Sequence, residues 1–253
     1  MKQEIIVPIS GGKDSTVCLI LALMDGRPVT AVFNDTGWEH PLTYEYIDYL
    51  EDKLGATIYK TTEARKNGKP IKGLPDLIIE QGRFPFGLGR FCTMYLKQYA
   101  LRDYFRDNIL EGNTEYEIWF GMRTDESGQR ARKYAGIEST DVFDIGDVFP
   151  NRWNKKLREV VNVRLPVVDW TTDEIFDFLD EAGVKRNPLY DEGTNDRVGC
   201  YPCMLAGRKV QQKMFATEFG QQRLEQIRIL EKRIGKKYEM FDTDQGSCEV
   251  CKL

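Results

Sequence analysis

The sequence is short of histidine, of long apolar runs and of excess positive charge. Its 253 residues include one histidine, and no apolar run approaches the roughly 20 residues needed to span a bilayer. The 36 Lys and Arg residues are outnumbered by 40 Asp and Glu residues, which gives a net charge of −4. We therefore expect neither a membrane protein nor a uniformly basic nucleic-acid binder, although a local basic patch is compatible with this composition. Because His40 has no visible companion residue, we expect it to lie at the surface or to form hydrogen bonds rather than to act as a general base.

We expect no signal peptide, because the first residues lead directly into a predicted strand, and the sequence contains no internal repeats or low-complexity segments. We therefore expect a cytoplasmic protein, whose six cysteines would stay reduced or bind metal rather than form disulfides. The content of 41% hydrophobic and 30% charged residues is typical of a globular protein. The length allows one large α/β domain or a domain with an appendage.

The chain is organised around residues 4–20, EIIVPISGGKDSTVCLI. An apolar β-branched run predicts a buried strand, and the apolar residues after Val17 have helical spacing. The turn between them contains glycines whose N–H groups can approach an anion, and the helix N-terminus adds about half a positive charge. Lys13 adds a full charge, and Asp14 is suited to hold Mg²⁺ or to orient a hydroxyl. The spacing is not that of the Walker motif. The predicted phosphate-binding residues are Ser10, Gly11, Gly12, Lys13, Asp14 and Ser15.

Strands and helices alternate after this turn, which predicts a doubly wound, mostly parallel α/β sheet with a helical, cysteine-containing C-terminal part. A second strand ends near Phe33, a helix is expected from Pro41 to Leu54, and a short strand from Ala56 to Tyr59. Ligands of such sheets bind at the carboxyl ends of the strands. The residues from Asp35 to Trp38 lie just past a strand end and are therefore candidates for nucleotide contact.

Other segments complete the predicted organisation. Residues 62–90 are rich in Lys, Gly and Pro and are interpreted as an irregular, functional or mobile stretch. Residues 137–159 are interpreted as a surface segment, and Val163–Val168 as a strand. We expect residues 1–185 to form an ATP-binding α/β domain and residues 186–253 to pack on it as a cysteine-bearing segment.

A further predicted strand, Glu117–Phe120, leads into GMRTDESGQRARK, which begins at Gly121 and clusters basic residues just beyond the strand end. A charge cluster is usually a solvated surface. Beside a phosphate-binding turn, however, arginine is suited to bind phosphate because its planar guanidinium donates several hydrogen bonds at once. We therefore expect Arg123 and Arg130 to contact a phosphate or a substrate anion.

Five cysteines predict metal or sulfur chemistry. Cys200 with Cys203, and Cys248 with Cys251, form two CxxC pairs that can together bind zinc, because this spacing lets both thiolates face a common point. Alternatively, Cys92 joins Cys200 and Cys203, and one tail cysteine completes a [4Fe–4S] set. In a further alternative the fourth iron has no cysteine ligand and keeps an open coordination position. In another, the tail cysteines carry sulfur as persulfides.

Five motifs together resemble the phosphoadenosine phosphosulfate (PAPS) reductase superfamily: SGGKDS, NDTGWEHPLTYEYIDYL, FCTMYLK, GMRTDESGQR and NPLYDEGTNDRVGCYPC. They span residues 10–203 in the family's order. The resemblance implies an adenine-nucleotide α-hydrolase fold, in which SGGKDS is a PP-loop and the nucleotide lies across the carboxyl edge of the sheet. It places the nucleotide near Asp35, Thr36 and Gly121, phosphates or a substrate anion near Arg123 and Arg130, and a cluster at Cys92, Cys200 and Cys203.

The chain departs from the reductases of this superfamily in two respects. Cluster-bearing reductases have paired cysteines where this chain has Cys92-Thr93, and a catalytic cysteine before Gly-Leu-His where this tail has GSCEVCKL. A reductase must not cleave the phosphates of ATP, and its loop is degenerate, whereas the loop here is intact and keeps Lys13. The chain therefore resembles more closely the ATP pyrophosphatases of DNA phosphorothioation and the related thiolation enzymes.

This resemblance implies that ATP, bound with Mg²⁺, is cleaved to AMP and pyrophosphate while an acceptor, in particular a nucleic-acid phosphate, is adenylylated for sulfur insertion. It implies catalytic roles for Lys13, Asp14, Arg123 and Cys92, and a cysteine desulfurase as the sulfur donor. An oligomer is compatible with the sequence. The alternatives are a PAPS or adenylyl-sulfate reductase that uses thioredoxin, an enzyme like sulfate adenylyltransferase, and a non-catalytic nucleotide-binding subunit.

Overall fold

A computed structural model describes residues 2–61, 64–66, 69–86, 89–108, 114–148, 155–193 and 197–238. The strands in these residues are β1 (Lys2–Ile9), β2 (Val29–Asn34), β3 (Ile58–Thr61), β4 (Ala64–Lys66), β5 (Lys69–Ile71), β6 (Thr114–Trp119), β7 (Val142–Asp144) and β8 (Val161–Arg164). Six of them form one sheet in the order β3-β2-β1-β6-β8-β7. All neighbouring pairs in this sheet are parallel except β7 with β8. The predicted α/β class with a mostly parallel sheet is confirmed.

The α-helices are α1 (Lys13–Asp25), α2 (Pro41–Leu54), α3 (Leu74–Gln81), α4 (Phe91–Thr93), α5 (Ala100–Asn108), α6 (Gly128–Lys133), α7 (Ile145–Val148), α8 (Lys155–Arg158), α9 (Thr172–Glu181), α10 (Arg208–Phe215) and α11 (Glu218–Ile234). A π-helical turn, Met94–Tyr99, joins α4 to α5, and short 3₁₀ helices lie at Thr124–Glu126 and Pro188–Tyr190. In the described part of the chain, no helix has the length and apolarity required to cross a bilayer.

The apolar residues of β1 alternate between two cores. Ile5 and Val7 pack in the layer that contains residues of α1, α2 and α9. Ile6 faces the opposite layer, together with Phe105 of α5 and Val163 of β8. Successive side chains of a strand point to opposite faces, so helices cover both faces of the sheet, as a doubly wound fold requires.

A third core joins the C-terminal helices to the loop after β2. It includes Trp38, Leu77 of α3 and Ile227 of α11, all of them buried. The Nε1–H group of Trp38 donates to the carbonyl of Pro202 at 3.2 Å, and the Arg223 guanidinium lies 4.2 Å from the centre of the Trp38 ring. Trp38 is therefore a core residue that holds this loop in place, and its predicted contact with nucleotide stays a prediction.

Residues 62–90 are more regular than the sequence predicted. Their described part contains the β4–β5 hairpin and helix α3. Leu74, Leu77 and Ile78 of α3 are all buried. These apolar residues have helical spacing, but the surrounding Lys, Gly and Pro residues favoured the prediction of an irregular segment.

The segments near β7 and β8 also differ from expectation. Within residues 137–159, Ile145 and Leu157 are almost completely buried, and β7 pairs with β8, so the described part of this segment belongs to the core as well as to the surface. The strand predicted over Val163–Val168 lies instead at Val161–Arg164. The chain turns directly after it, where the N–H group of Val168 donates to the Leu165 carbonyl at 3.1 Å.

His40 begins helix α2 as its N-cap. Its Nδ1 atom accepts a hydrogen bond from the Leu42 N–H group at 3.2 Å, and its ring packs edge-on against Tyr201 and Phe219. Burial, with a smaller effect from the charge of Arg223, lowers the pKa of the imidazole. The expected hydrogen-bonding role is confirmed, and the neutral ring is the form that can accept this bond.

The pH dependence of stability tests the role of His40. Because the folded-state pKa lies below that of the unfolded chain, the unfolded state takes up the proton first, and the free energy of unfolding should fall as the pH decreases through about 6.5. The His40→Asn variant retains a capping acceptor and should show a shallower decrease between about pH 7.5 and about pH 5.5. Urea unfolding of both proteins measures these slopes, and equal slopes would contradict the assignment.

Candidate active site

The predicted phosphate-binding turn lies between β1 and α1, at the carboxyl edge of the sheet. The Ser15 hydroxyl donates to the Gly12 carbonyl at 3.0 Å, and the Gly12 N–H group donates to Ser10 Oγ at 3.3 Å. Gly11 has a φ of 74°, which an L side chain rarely adopts. The turn is therefore held in a fixed shape, and the N-terminus of the 13-residue helix α1 begins directly after it.

Two residues from the distant 3₁₀ segment hold the turn from outside. Asn187 is 1% exposed, and its Nδ2 atom donates to the Gly11 carbonyl at 3.0 Å. The Lys13 N–H group donates to the Tyr190 hydroxyl oxygen at 2.9 Å. Burial raises the pKa of Tyr190, so this hydroxyl stays protonated. Both residues belong to the NPLYDEG segment, whose support of the turn was not predicted from the sequence; the turn-forming Asn-Pro pair is the local signal that marks it.

Gly121 permits the end of β6 to approach the turn closely. A Cβ atom at this position would lie 2.7 Å from the Asp14 carbonyl carbon and 2.9 Å from the Ser15 nitrogen. Both are backbone atoms of the first turn of α1 and cannot move aside cheaply. The predicted contact of Gly121 with nucleotide stays a prediction. The structure shows that a glycine is required here for the close approach to the backbone of α1.

Arg123 is 1% exposed and binds groups within the protein. Its Nε–H donates to Asp14 Oδ1 at 2.6 Å, its Nη1 to Asp125 Oδ2 at 3.1 Å and to the Trp170 carbonyl at 2.9 Å, and its Nη2 to Thr172 Oγ1 at 3.1 Å. In this conformation the guanidinium orients the Asp14 carboxylate. Direct contact of Arg123 with phosphate stays a prediction.

The side chain of Lys13 is 5% exposed, and its ammonium group is held beside the turn by neighbouring groups. The Nζ atom lies 3.8 Å from Asp14 Oδ2 and faces the rings of Phe176 and Tyr190, whose centres are 5.8 and 5.3 Å away. Cation–π contacts of this kind stabilise a partly desolvated ammonium. Lys13 and Asp14 are thus placed together beside the turn, as phosphate and Mg²⁺ binding would require.

The turn opens into a cavity of about 620 Å³ that also reaches the cysteines. The predicted site residues on its wall are Ser10, Gly12, Asp14, Ser15, Gly121, Arg130, Cys200 and Cys203. An adjoining, mainly apolar cavity of about 290 Å³ is lined in part by Phe33, Leu101, Phe120 and Met122. An apolar recess beside an anion site is suited to a nucleotide base.

Asp35 and Thr36 are not among the described residues that line either of these two cavities. Asp35 Oδ1 accepts hydrogen bonds from the Gly37 N–H group at 2.7 Å and from the Tyr44 hydroxyl at 2.8 Å. The Thr36 hydroxyl donates to Glu39 Oε1 at 2.5 Å. In this structure both residues shape the loop after β2, and their contact with nucleotide stays a prediction.

Cys200 is brought to this loop by backbone pairing. Glu39 and Cys200 form an antiparallel bridge, and the Tyr201 N–H group donates to the Trp38 carbonyl at 2.7 Å. Cys200 Sγ consequently lies 3.4 Å from Thr36 Oγ1 and 3.9 Å from Glu39 Oε1. The CxxC pair therefore reaches the same edge of the sheet as the phosphate-binding turn, because Cys203 lies on the cavity wall as well.

Lys97 is a site residue that the sequence analysis missed. It lies in the π-helical turn after Cys92, lines both cavities, and interacts electrostatically with all three described candidate cysteines and with Glu39. Wide turns of this kind often occur at functional sites. The pKa of Lys97 is raised, chiefly by the charge that Cys200 carries when ionised, so the ammonium is the stable form.

Burial controls the protonation of the groups around Lys97. It raises the pKa of the Cys200 thiol to about 12 and raises that of Cys92, while the Lys97 charge acts in the opposite direction on both. Burial also raises the pKa of Glu39, against the hydrogen bond from Thr36. Cys92 and Cys200 are therefore thiols at neutral pH, and added positive charge would be required to ionise them.

The predicted metal set is incomplete. Among the described residues, no three His, Cys, Asp or Glu side chains form a group that could hold a metal ion. Cys248 and Cys251, the candidate fourth ligands, lie outside the described residues. Thiol donors suit zinc or an iron–sulfur cluster by type, but the described thiols are not arranged as such a set.

Arg130 lines both cavities, as expected for an anion-binding residue. In this structure it forms an ion pair with Glu126. Arg197 also approaches this carboxylate, with its Nε 3.6 Å from Glu126 Oε1, and donates through Nη2 to the Glu126 carbonyl at 2.7 Å. Two arginines thus meet at one carboxylate on the cavity wall.

Comparison with known proteins gives one family. The profile described as phosphoadenosine phosphosulfate reductase domain matches residues 4–206. A protein of Escherichia phage 186, described as an uncharacterized 37.8 kDa protein in the gpa 5′ region, is 33% identical over 83% of this chain and 70% of its own length. The phosphoadenosine 5′-phosphosulfate reductase of Cronobacter sakazakii is 27% identical over 75% of this chain and 66% of its own length.

Two solved structures are also similar. The PAPS reductase of Candida auris, in a phosphate complex, has a TM-score of 0.48 at 15% identity and covers 79% of this chain and 82% of its own. The FMN adenylyltransferase of Candida glabrata, in complex with ATP, has a TM-score of 0.48 at 15% identity and covers 79% of this chain and 52% of its own.

The contact at Gly121 can be tested by adding one methyl group. In Gly121→Ala the new Cβ would meet the backbone of Asp14 and Ser15, so we expect the free energy of unfolding to fall by about 1–3 kcal/mol, together with weaker nucleotide binding. Gly128→Ala is the matched control, since the nearest atom to its Cβ would be Arg132 Nη1 at 4.0 Å. Urea unfolding of the two variants measures the change in the free energy of unfolding. Equal changes in Gly121→Ala and Gly128→Ala would contradict the close approach.

Proposed function

The chain belongs to the phosphoadenosine phosphosulfate reductase domain family, and on that premise we propose that it is an ATP pyrophosphatase that adenylylates an acceptor, a nucleic-acid phosphate, for sulfur insertion. The observation that carries this proposal is the shared cavity of about 620 Å³, whose wall includes both the phosphate-binding turn and the CxxC pair of Cys200 and Cys203. A nucleotide bound at the turn would lie within reach of a sulfur nucleophile.

The first step is attack of an acceptor oxygen on the α-phosphorus of ATP. The bond from this phosphorus to the oxygen bridging to the β-phosphate breaks, and pyrophosphate leaves with its negative charge. Lys13 and the positive N-terminus of helix α1 stabilise that charge, since preorganised charges and dipoles in a site shielded from water are worth more than those in water. Asp14, oriented by Arg123 at 2.6 Å, is the carboxylate available to hold Mg²⁺ against the phosphates.

The second step replaces AMP by sulfur. A persulfide carried on Cys92, Cys200 or Cys203 attacks the activated acceptor with its terminal sulfur, and AMP leaves. A second of these thiols then attacks the S–S bond, which releases the thiolated acceptor and leaves a cysteine disulfide that an external thiol must reduce. Lys97 supports this chemistry because its charge favours the anionic sulfur. A cysteine desulfurase is the proposed source of the persulfide sulfur.

No thiol-bound metal is part of this proposal, because the described thiols are not arranged as a set that could bind one. If zinc or [4Fe–4S] were present, Cys92, Cys200 and Cys203, with Cys248 or Cys251 as a further ligand, would hold it, and it would supply Lewis-acid or redox chemistry. Neither step above depends on it.

A sulfonucleotide reductase is the second candidate, favoured by the name of the Cronobacter relative. In that activity a thiol reduces a bound sulfonucleotide, thioredoxin restores the thiol, and ATP is not consumed. The intact turn with Lys13 beside Asp14 favours the pyrophosphatase instead.

Pyrophosphate release tests the first step. With Mg²⁺, ATP and a nucleic-acid acceptor, we expect Lys13→Ala to lower the rate of release about 10²–10³-fold, because the leaving group loses its main cationic partner. Lys53→Ala removes an exposed lysine from α2 and is the control. If no pyrophosphate forms and sulfite is instead produced from PAPS with thioredoxin, the reductase assignment replaces this one.

The sulfur step can be separated from ATP cleavage by Cys200→Ser. This variant should still release pyrophosphate but lose incorporation of ³⁵S from labelled cysteine in the presence of a cysteine desulfurase. Cys18→Ala is the control, because Cys18 lies in α1, is fully buried in the core and lines neither cavity. Undiminished ³⁵S incorporation in Cys200→Ser would remove this cysteine from the proposed chemistry.

A further inference from the structure

Three segments of this acidic chain contain basic residues but no acidic residues. Residues 83–102 contain four Lys or Arg residues, residues 127–137 contain three, and residues 197–217 contain four, and none of the three segments contains Asp or Glu. Since the chain as a whole carries a net charge of −4, its acidic residues are concentrated elsewhere.

The fold brings these three segments to the same cavity. The first provides Arg90 and Lys97 to the wall of the cavity of about 620 Å³, the second provides Arg130, and the third provides Arg197. On this wall Asp14 and Glu126 are the acidic residues. Segments far apart in sequence therefore create one region of positive potential around the phosphate-binding turn.

The positive charge continues outside the cavity. Gly207 and Val210 line its wall, and the exposed Lys209 lies between them in helix α10. Lys213 is also exposed and lies one helical turn further along, where i and i+4 side chains share a face. On the second segment, Lys133 is exposed and lies three residues after the wall residue Arg130 in helix α6, where i and i+3 side chains share a face. We name Lys133, Lys209 and Lys213 the basic rim.

We propose that the basic rim binds the phosphodiester backbone of a nucleic acid and thereby presents one of its phosphates to the nucleotide cavity. This proposal rests on the proposed function, because it identifies the surface that would receive the acceptor. A small anion such as ATP requires only the groups on the cavity wall. Exposed basic side chains beyond the wall match an acceptor whose charge repeats along its length, since DNA carries one charge per about 1.7 Å of helix axis.

Fluorescence anisotropy with a labelled 20-base-pair DNA duplex, and with one of its strands, tests the proposal as a function of salt. The triple variant Lys133→Gln, Lys209→Gln, Lys213→Gln should bind at least about tenfold more weakly at low salt, and its plot of log K against log salt for the duplex should be shallower by about 2–3. The control is Lys232→Gln, Arg233→Gln, Lys236→Gln, which removes three exposed charges from the end of α11 and the residues after it, none of them on either cavity wall.

The outcomes separate this proposal from the pyrophosphatase assignment. Selective loss of DNA binding in the rim variant supports the proposal. The proposal is overturned if the unmodified protein binds neither probe at low salt, or if both triple variants lose DNA affinity equally. It is also overturned if the rim variant loses as much affinity for ATP as for DNA. Competition by polyglutamate as effective as that by unlabelled DNA, at equal charge, would indicate an acidic protein partner instead. Failure of Lys13→Ala to reduce pyrophosphate release, with DNA binding intact, would overturn the enzymatic proposal alone.

Discussion

A guanidinium group withdrawn from water must be surrounded by acceptors, and Arg123 obtains them from three parts of the chain. Its partners are Asp14 at the start of α1, Asp125 in the adjacent 3₁₀ helix, and the carbonyl of Trp170 and the hydroxyl of Thr172 at the start of α9. Removing any one of these acceptors would leave part of a buried cation unpaired, which is costly. The end of β6, the phosphate-binding turn and α9 are therefore fixed relative to one another by a single side chain.

The part of the cavity wall that contains the cysteines depends on a different balance. Lys97 keeps its charge beside Glu39 and the thiols of Cys92 and Cys200, whose ionisation is opposed by burial. Deprotonation of a thiol there is opposed by burial and favoured by the lysine. The two walls thus have distinct electrostatic roles: the wall with the turn has fixed charges suited to phosphate, and the wall with the cysteines can gain or lose charge with its chemical state.

The parts predicted well from sequence have local causes. Helix α2 has the predicted bounds because Pro41 and Gly55 mark its ends, and the turn of Ser10 to Ser15 lies between a strand and a helix as its pattern indicated. The parts that were missed depend on distant contacts or rare geometry. Lys97 lies in a π-helical turn, and the burial of Arg123 follows from acceptors that no local pattern announces. The residue types and their spacing predicted which charged side chains lie near the turn. They did not predict which of those charges would be paired with other groups inside the protein.

The hydrogen bonds from Asn187 and Tyr190 to the phosphate-binding turn have a consequence for biosynthesis. They join residues separated by 176 and 177 positions, so the turn is synthesised long before its supports. A nascent chain that ends before Asn187 has neither support. The turn can therefore reach its final form only after the segment around Asn187 and Tyr190 has been synthesised, and a product truncated before this segment would contain the motif without these two hydrogen bonds.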